Sequence, residues 1–287
     1  MRNLYYGPGG KAHEPQGPYK FVEEDSSGTQ PKFIVKDGNG VRWTAKMGME
    51  VRSETSATRL VWAVGYFTTE DYFLPEMKVE RMPGHLKRGQ KFVSQDGIIH
   101  NVRLKRHLEG EKKIGNWGWQ DGPFAGTREL NGLRVMMALI NDWDLKKVNN
   151  KIFSRKDAPP VYIVSDLGAT FGPPGVILPL SRSRGDLGEY AASTFIRRTT
   201  ATYVDFATPR APFVAMGFWP LTYFPRVKLD ALLRHVPRDD AHWMGTVLAR
   251  LSKQQLHDAF RAADWQPDVT DAYVNIVEKR ISQLCAL

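Results

Sequence analysis

A single cysteine, Cys285, stands third from the end of a chain of 287 residues. One cysteine excludes an internal disulfide framework and a cysteine-rich zinc site. No apolar run approaches the ~20 residues that a bilayer-spanning helix requires. The opening MRNLYYGPGGKAHEP has no apolar h-region and is not a signal peptide. Its abrupt Tyr and Gly-Pro start leaves room for a natural leader upstream. Repeats of fixed period and low-complexity tracts are missing too. His85, His100 and His107 share no metal-ligand spacing with a carboxylate, so no zinc site is assigned. Long Lys/Arg runs are also absent, although the net charge is +9. A basic chain without a basic tract favours an anionic ligand, such as a nucleotide or phosphate, over a nucleic-acid-binding face.

What is present suits a folded chain: 42% of residues are hydrophobic and 25% charged, with ample length for substantial cores. Residues 1–20, rich in Gly, Pro and Tyr, read as an extended arm. Residues 21–52 read as three strands, KFVEED, KFIVKD and VRWTAKMG, separated by the turns SSGTQP and GNG. The period then changes. In SETSATRLVWAVGY, Ala57, Leu60, Val61 and Val64 recur at helical spacing, with Ser53 as the expected N-cap and Gly65 as the stop. YFLPEMKVE and GIIHNVRLKRH read as strands. Residues 108–126 hold many turn formers with Trp117 and Trp119, and read as a loop between lobes. The large area of the two tryptophans favours packing there over lining a cleft.

From Thr127 the spacing is helical again, with Leu130, Leu133, Met137 and Ile140 on one face. PVYIVSDLG reads as a short strand, and the rest as mainly helix with Pro-rich interruptions. Ser252 and Gln255 form a capping-box pattern, and Tyr273, Ile276, Val277, Ile281 and Leu284 share a face of the last helix. The pattern is therefore α+β: a β-rich N-terminal lobe with one helix at 21–107, then a helical lobe at 127–287.

Phosphoryl transfer needs a small set of parts. A lysine must neutralise nucleotide phosphates and be braced by a glutamate. A carboxylate must orient the acceptor, and oxygen ligands must hold Mg²⁺. The chain offers these in order: Lys46 on a strand, Glu54 at the start of a helix, Asp144 and Asn149 in the spacing Asp-x4-Asn, and Asp166 at the end of an apolar strand. Taken singly, each is an ordinary strand lysine, helix-start acid or loop residue; the order carries the reading.

At this point the chain becomes recognisable. DLKKVN resembles the protein-kinase catalytic loop, and SDLGATFG resembles the metal-binding Asp-Phe-Gly motif with Leu167 in place of Phe. SSGTQPKFIV and SETSATRLVWAVGY are similar to stretches of HipA-type kinases, and SDLGATFG also resembles the corresponding segment of phosphoinositide kinases. The resemblance covers about residues 21–172 and implies a bilobal, atypical protein-kinase-like fold that uses ATP with Mg²⁺ or Mn²⁺. It implies that Lys46 contacts phosphates with Glu54 as its partner, Glu50 competing for that place. It further implies catalytic Asp144, phosphate-facing Lys146, metal ligands Asn149 and Asp166, and a phosphate-covering turn of Ser26, Ser27, Gly28 and Thr29. The adenine would lie near NVRLKRH.

Two departures qualify the resemblance. Asp142-Trp143 replaces the usual His-Arg, and the phosphate turn has a single glycine. They suit an atypical kinase and also a pseudokinase acting as a nucleotide-binding scaffold; AMP transfer or glutamylation are alternative reactions. The acceptor, whether protein, lipid or small molecule, is not named by the sequence. Arg182 and Arg184, flanking Ser181 and Ser183, read as a solvated basic loop.

Overall fold

The computed structural model describes residues 2–28, 30–172, 184–207 and 231–287, and its elements are numbered here over those residues. Five strands close into a barrel in the order β1-β2-β3-β5-β4: β1 Tyr19–Asp25, β2 Lys32–Lys36, β3 Arg42–Lys46, β4 Asp71–Glu80 and β5 Ile98–Arg106. The strands expected from the sequence form, and the period of two decides what faces what. On β3, Trp43 and Ala45 enter the barrel core, whereas Thr44 and Lys46 line a cavity on the other face. On the antiparallel neighbour β5, Val102 and Leu104 enter the core, and Arg103 and Lys105 line that cavity. The register pairs Lys46 with Arg103 and Thr44 with Lys105.

Helix α1, Val51–Ala63, follows β3. Its N-cap is Glu50 rather than Ser53, so the helix starts earlier than expected. Ser53 is a buried helical residue whose hydroxyl donates to the Glu50 and Gly168 carbonyls. Ala57, Leu60 and Val61 of α1 pack into the larger of two hydrophobic clusters, with α2 (Arg128–Leu139) and the C-terminal helices. Thr127 caps α2, accepting from the Leu130 N–H at 3.2 Å. Trp117 and Trp119 are buried in the same cluster with ring centres 5.4 Å apart.

Three features differ from the expectation. Residues 2–18 hold turns and a 3₁₀ turn at Lys11–His13, β1 begins at Tyr19, and Leu4 is fully buried. The segment expected as loop contains strand β6, Lys112–Gly115, which pairs with β7, Lys151–Arg155, and β7 pairs with β8, Ala158–Ile163. β6 is largely exposed and has little apolar character, so only its partner strand makes it a strand. The C-terminal third also holds a small sheet, β11-β10-β9 (Val236–Pro237, Tyr203–Phe206, Ile196–Thr199), beside α3 Leu187–Ala192. Helices α4 Arg238–Leu248, α5 Lys253–Arg261 and α6 Pro267–Cys285 complete the chain. The capping box of Ser252 and Gln255 forms with both of its hydrogen bonds. Tyr273, Val277, Ile281 and Leu284 of α6 are buried, and Cys285 is exposed. No described helix is long and apolar enough to cross a membrane.

Candidate active site

The site is assembled from four segments. Strand β3 directs Lys46 away from the barrel core, and the first turn of α1 brings Glu50 and Glu54 to meet it. Lys46 Nζ lies 2.6 Å from Glu50 Oε2, 2.8 Å from Glu54 Oε2 and 3.2 Å from Asp166 Oδ1. Glu50 and Glu54 therefore share the lysine rather than excluding one another. Their second contacts differ. Glu54 also takes Arg103 at 3.1 Å, and Arg103 continues to the fully buried Asp71 at 2.7 Å. Glu50 takes Arg184 at 3.0 Å. Arg184 also lies over the Trp143 ring, so it is part of the site and not the solvated loop residue expected. Arg182, Ser181 and Ser183 lie outside the described residues.

The segment Ser165–Phe171 is fixed at both ends. Asp166 has a positive φ of 61°, which Asp tolerates better than most residues. Gly168 backs onto Glu50; a Cβ there would come within 2.7 Å of the Glu50 Cβ, so the close approach requires glycine. Phe171 is fully buried among Tyr190, Phe260 and Tyr273, with ring centres 5.3–5.5 Å away. Its N–H donates to the Ile140 carbonyl at 2.8 Å, which ties the segment to the end of α2.

The loop after α2 carries the remaining candidates. Asp144 receives Lys146 Nζ at 2.6 Å, and Asn149 Nδ2 donates to the Asp144 carbonyl at 2.8 Å and to Oδ2 at 3.3 Å. Asp142 is buried and accepts from the Asp144 N–H at 2.9 Å, so it shapes the loop that presents Asp144. Ser165 Oγ donates to the Asn149 carbonyl at 2.5 Å, linking this loop to the Asp166 segment.

One cavity is lined together by Gly28, Lys46, Glu50, Glu54, Asp144, Lys146 and Asp166. Gly28 has a positive φ of 69° in the turn before β2. Asn149 adjoins the cavity through its bonds to Asp144. Ser27 is not among the lining residues; its N–H donates to Asp25 Oδ1. Thr29 lies outside the described residues.

The electrostatics separate the groups. Burial opposes the Lys46 charge, but Glu54, Glu50 and Asp166 outweigh it and hold the ammonium protonated well beyond the usual range. Burial also opposes ionisation of Asp166; Lys46, then Arg103 and Lys151, overcome it and keep the carboxyl below its usual value. For Glu54 burial prevails over Arg103 and Lys46, raising its pKa. Burial pushes Asp142 well above the carboxylate range, with Asp144 and Asp166 adding to the rise. An ionised, half-exposed Asp166 beside a permanently charged lysine can hold a cation and a phosphate at adjoining positions.

Arg103, Arg184, Asp142, Lys105 and Lys151 were not singled out by sequence reasoning as site residues. The alternation in VRLKR was the available signal for Arg103 and Lys105, since every second position in a barrel strand faces away from the core.

No family model matches the chain, and no curated protein does. Solved structures do. The golgi casein kinase matches at 12% identity over 95% of this chain and 74% of that one, with a TM-score of 0.50. A Helicobacter pylori proinflammatory kinase, CtkA, matches at 9% identity over 93% of this chain and 96% of that one, with a TM-score of 0.49. The golgi casein kinase with Mn/ADP bound gives 11% identity, 95% and 72% coverage, and a TM-score of 0.45. The chain has a kinase-like α+β fold. At these identities the likeness concerns the fold, and the chemistry must be argued from the side chains.

Proposed function

We propose that the protein is an atypical kinase: it transfers the γ-phosphate of a nucleoside triphosphate to a hydroxyl acceptor. The nucleotide would sit in a cleft between a β-rich N-lobe and a helical C-lobe. The observation that carries this reading is the convergence on Lys46. Its ammonium contacts Glu54 and also Asp166, 120 residues further along the chain, inside a cavity that Asp144 and Lys146 also line. An accidental surface lysine has no reason to meet a second segment whose own backbone is fixed by Gly168 and Phe171.

In this reading Lys46 holds phosphate oxygens and Glu54, braced by Arg103, keeps its ammonium in place. Asp144 orients the acceptor hydroxyl, and Lys146 offsets charge on the transferred group. Gly28 offers its backbone N–H to the phosphates. Asp166 and Asn149 suit a hard divalent cation: Asp166 is an ionised carboxylate, and with Nδ2 committed to Asp144 the Asn149 amide oxygen is its ligand atom. A bound Mg²⁺ or Mn²⁺ would neutralise charge on the phosphates; the protein's part is to position and to stabilise charge. The finer likeness to HipA-type and phosphoinositide-type kinases rests on the motifs of residues 21–172 alone.

The test is incubation with γ-labelled nucleotide and Mg²⁺ or Mn²⁺, wild type beside Asp144→Asn and Asp166→Ala, reading hydrolysis, self-labelling and labelled lysate components. Wild-type transfer that both variants abolish with the fold intact supports the reading. Equal labelling by Asp166→Ala overturns it. The replacement of His-Arg by Asp142-Trp143 motivates a second reading, a nucleotide-binding scaffold; it predicts a thermal shift with nucleotide and metal but no turnover.

A further inference from the structure

We infer that the base-binding part of this site selects a purine whose major-groove edge carries acceptors only, so that guanine nucleotides are preferred to adenine nucleotides. The inference rests on the nucleotide reading above and deepens it.

The cavity that holds Lys46 and Asp166 adjoins a second one of about 390 Å³, and the two share Thr69, Lys105 and Lys151 in their linings. The second cavity has the character of a base pocket. Phe67, Phe153, Val161 and Ile163 supply apolar wall, and a ring fits that volume. Two lysines stand at the junction. Lys105 comes from β5, on the cavity face beside Arg103, and Lys151 is the first residue of β7, two positions beyond Asn149.

Neither lysine has an ion-pair partner among the described residues. The carboxylates of the second cavity are already engaged: Glu70 with Arg106 at 3.3 Å and Glu111 with Arg155 at 2.5 Å. Those of the first cavity are engaged by Lys46, Arg103, Arg184 and Lys146. The electrostatic consequence is consistent with this isolation. Burial, and then the neighbouring Lys151 and Arg103, push Lys105 down to about 7. Two partly buried lysines side by side, with Asp166, Glu54 and Asp71 near them but no carboxylate ion-paired to either among the described residues, are costly to build into a fold. The arrangement becomes favourable when a ligand supplies acceptors.

The ligand chemistry follows from the donor inventory. A lysine ammonium has three donors and no acceptor. Guanine presents N7 and O6, two adjacent acceptors; adenine presents N7 and the N6 amino group, a donor. Protonated lysines facing the base complement the first edge and oppose the second, and the acceptors of the first edge favour the charged form of Lys105, which sits at about 7 without a ligand. One matched edge contact is worth about 1–3 kcal/mol of discrimination, about tenfold in affinity or more.

The test is titration calorimetry with Mn²⁺ and GDP, IDP, ADP or tripolyphosphate, on wild type, Lys105→Met and Lys151→Met. IDP keeps O6 and N7 and lacks the 2-amino group. The expected result is that GDP and IDP bind about tenfold tighter than ADP, and that either substitution brings the ratio towards one. ADP binding as tightly as GDP in the wild type overturns the inference without needing a variant. GDP tight with IDP as weak as ADP also overturns it, since the 2-amino group would then be what is read. Tripolyphosphate binding as tightly as the nucleotides, and weakened by the substitutions, overturns it in favour of lysines that serve phosphate. If none of the four binds, the inference falls together with the nucleotide reading; if ADP binds best, only the base preference falls.

Discussion

Lys46 and Lys105 lie on adjacent barrel strands, face the same cavity and are electrostatic opposites. Lys46 has three carboxylates within 3.2 Å, and its charge is fixed. Lys105 has no ion pair among the described residues and is held near neutrality, at about 7. Burial disfavours the charged form of both; the difference lies in what other chain segments bring. The first turn of α1 and the Ser165–Phe171 segment deliver acids to Lys46. Opposite Lys105 stands Lys151 instead. One part of the cavity is thus compensated and positioned, and in the other two lysines stand side by side with no ion-paired carboxylate among the described residues, each held below its usual pKa.

The largest expected effect comes from breaking the compensated part. Asp166→Ala removes a Lys46 partner and the proposed cation ligand. Phosphoryl transfer should fall by at least about a thousandfold, at the upper end of what removal of one electrostatic group costs. Lys46→Met should cost on the order of 10²–10³-fold. Single-turnover transfer measured beside a matched circular dichroism spectrum checks both. Loss of activity in Lys105→Met as complete as in Lys46→Met would erase the distinction between the two lysines.

Next comes Arg103→Met. Arg103 is buried between Glu54 and Asp71, and Asp71 is fully buried. Removing it leaves carboxylates without their partner in the interior. Destabilisation of about 3–5 kcal/mol is expected, read as a lower urea midpoint at unchanged slope. An unchanged midpoint would show that Lys46 alone satisfies Glu54.

The contrast also explains what was legible in the sequence. Lys46, Glu54, Asp144 and Asp166, which line one cavity, each stand in a short motif set in the right kind of element, and Asn149 shares the Asp144 loop. The strands of the barrel, the face of α2 and the last helix could be read from apolar periods. Arg103 could not be assigned to Glu54 and Asp71, because its contacts depend on strand register, which is a long-range property. Glu50 is the N-cap of α1 without a side-chain cap hydrogen bond, so no local cap preference favoured it over Ser53. β6 exists through its pairing with β7, and nothing in KKIG announces it. Lys151 reads as one more polar residue after Asn149 until β7 turns it into the cavity.

A smaller effect tests the two-lysine part by pH. Lysine in an unfolded chain titrates near 10.4, and Lys105 is pushed down to about 7, with Lys151 and Arg103 as facing cations and Asp71 and Glu54 as the opposing carboxylates. Between those values the unfolded chain keeps a proton that the folded chain has released. Stability therefore rises with pH across that window, by at most about 1.4 kcal/mol per unit from this group. Below pH 7 both states are protonated and the cost of the buried ammonium is present in full. Urea midpoints at pH 6.5 and pH 9 should separate for wild type more than for Lys105→Met, and the variant should be the more stable at pH 6.5. Parallel pH profiles would mean that Lys105 is solvated.

The smallest effect belongs to a third lysine, Lys147, next to Lys146 on the Asp144 loop. Its Nζ lies 2.8 Å from Asp121 Oδ2, the same distance as Lys46 from Glu54. Both side chains of the surface pair are more than half exposed, whereas those of Lys46 and Glu54 are 6% and 2% exposed. Water screens the first pair, and ordering two long side chains offsets much of the remaining attraction. Lys147→Ala should move the melting temperature by no more than about one degree and leave transfer at the wild-type rate. A larger shift in differential scanning calorimetry would mean that distance, and not desolvation, sets the value of an ion pair here, and the same rule would then have to account for Lys46.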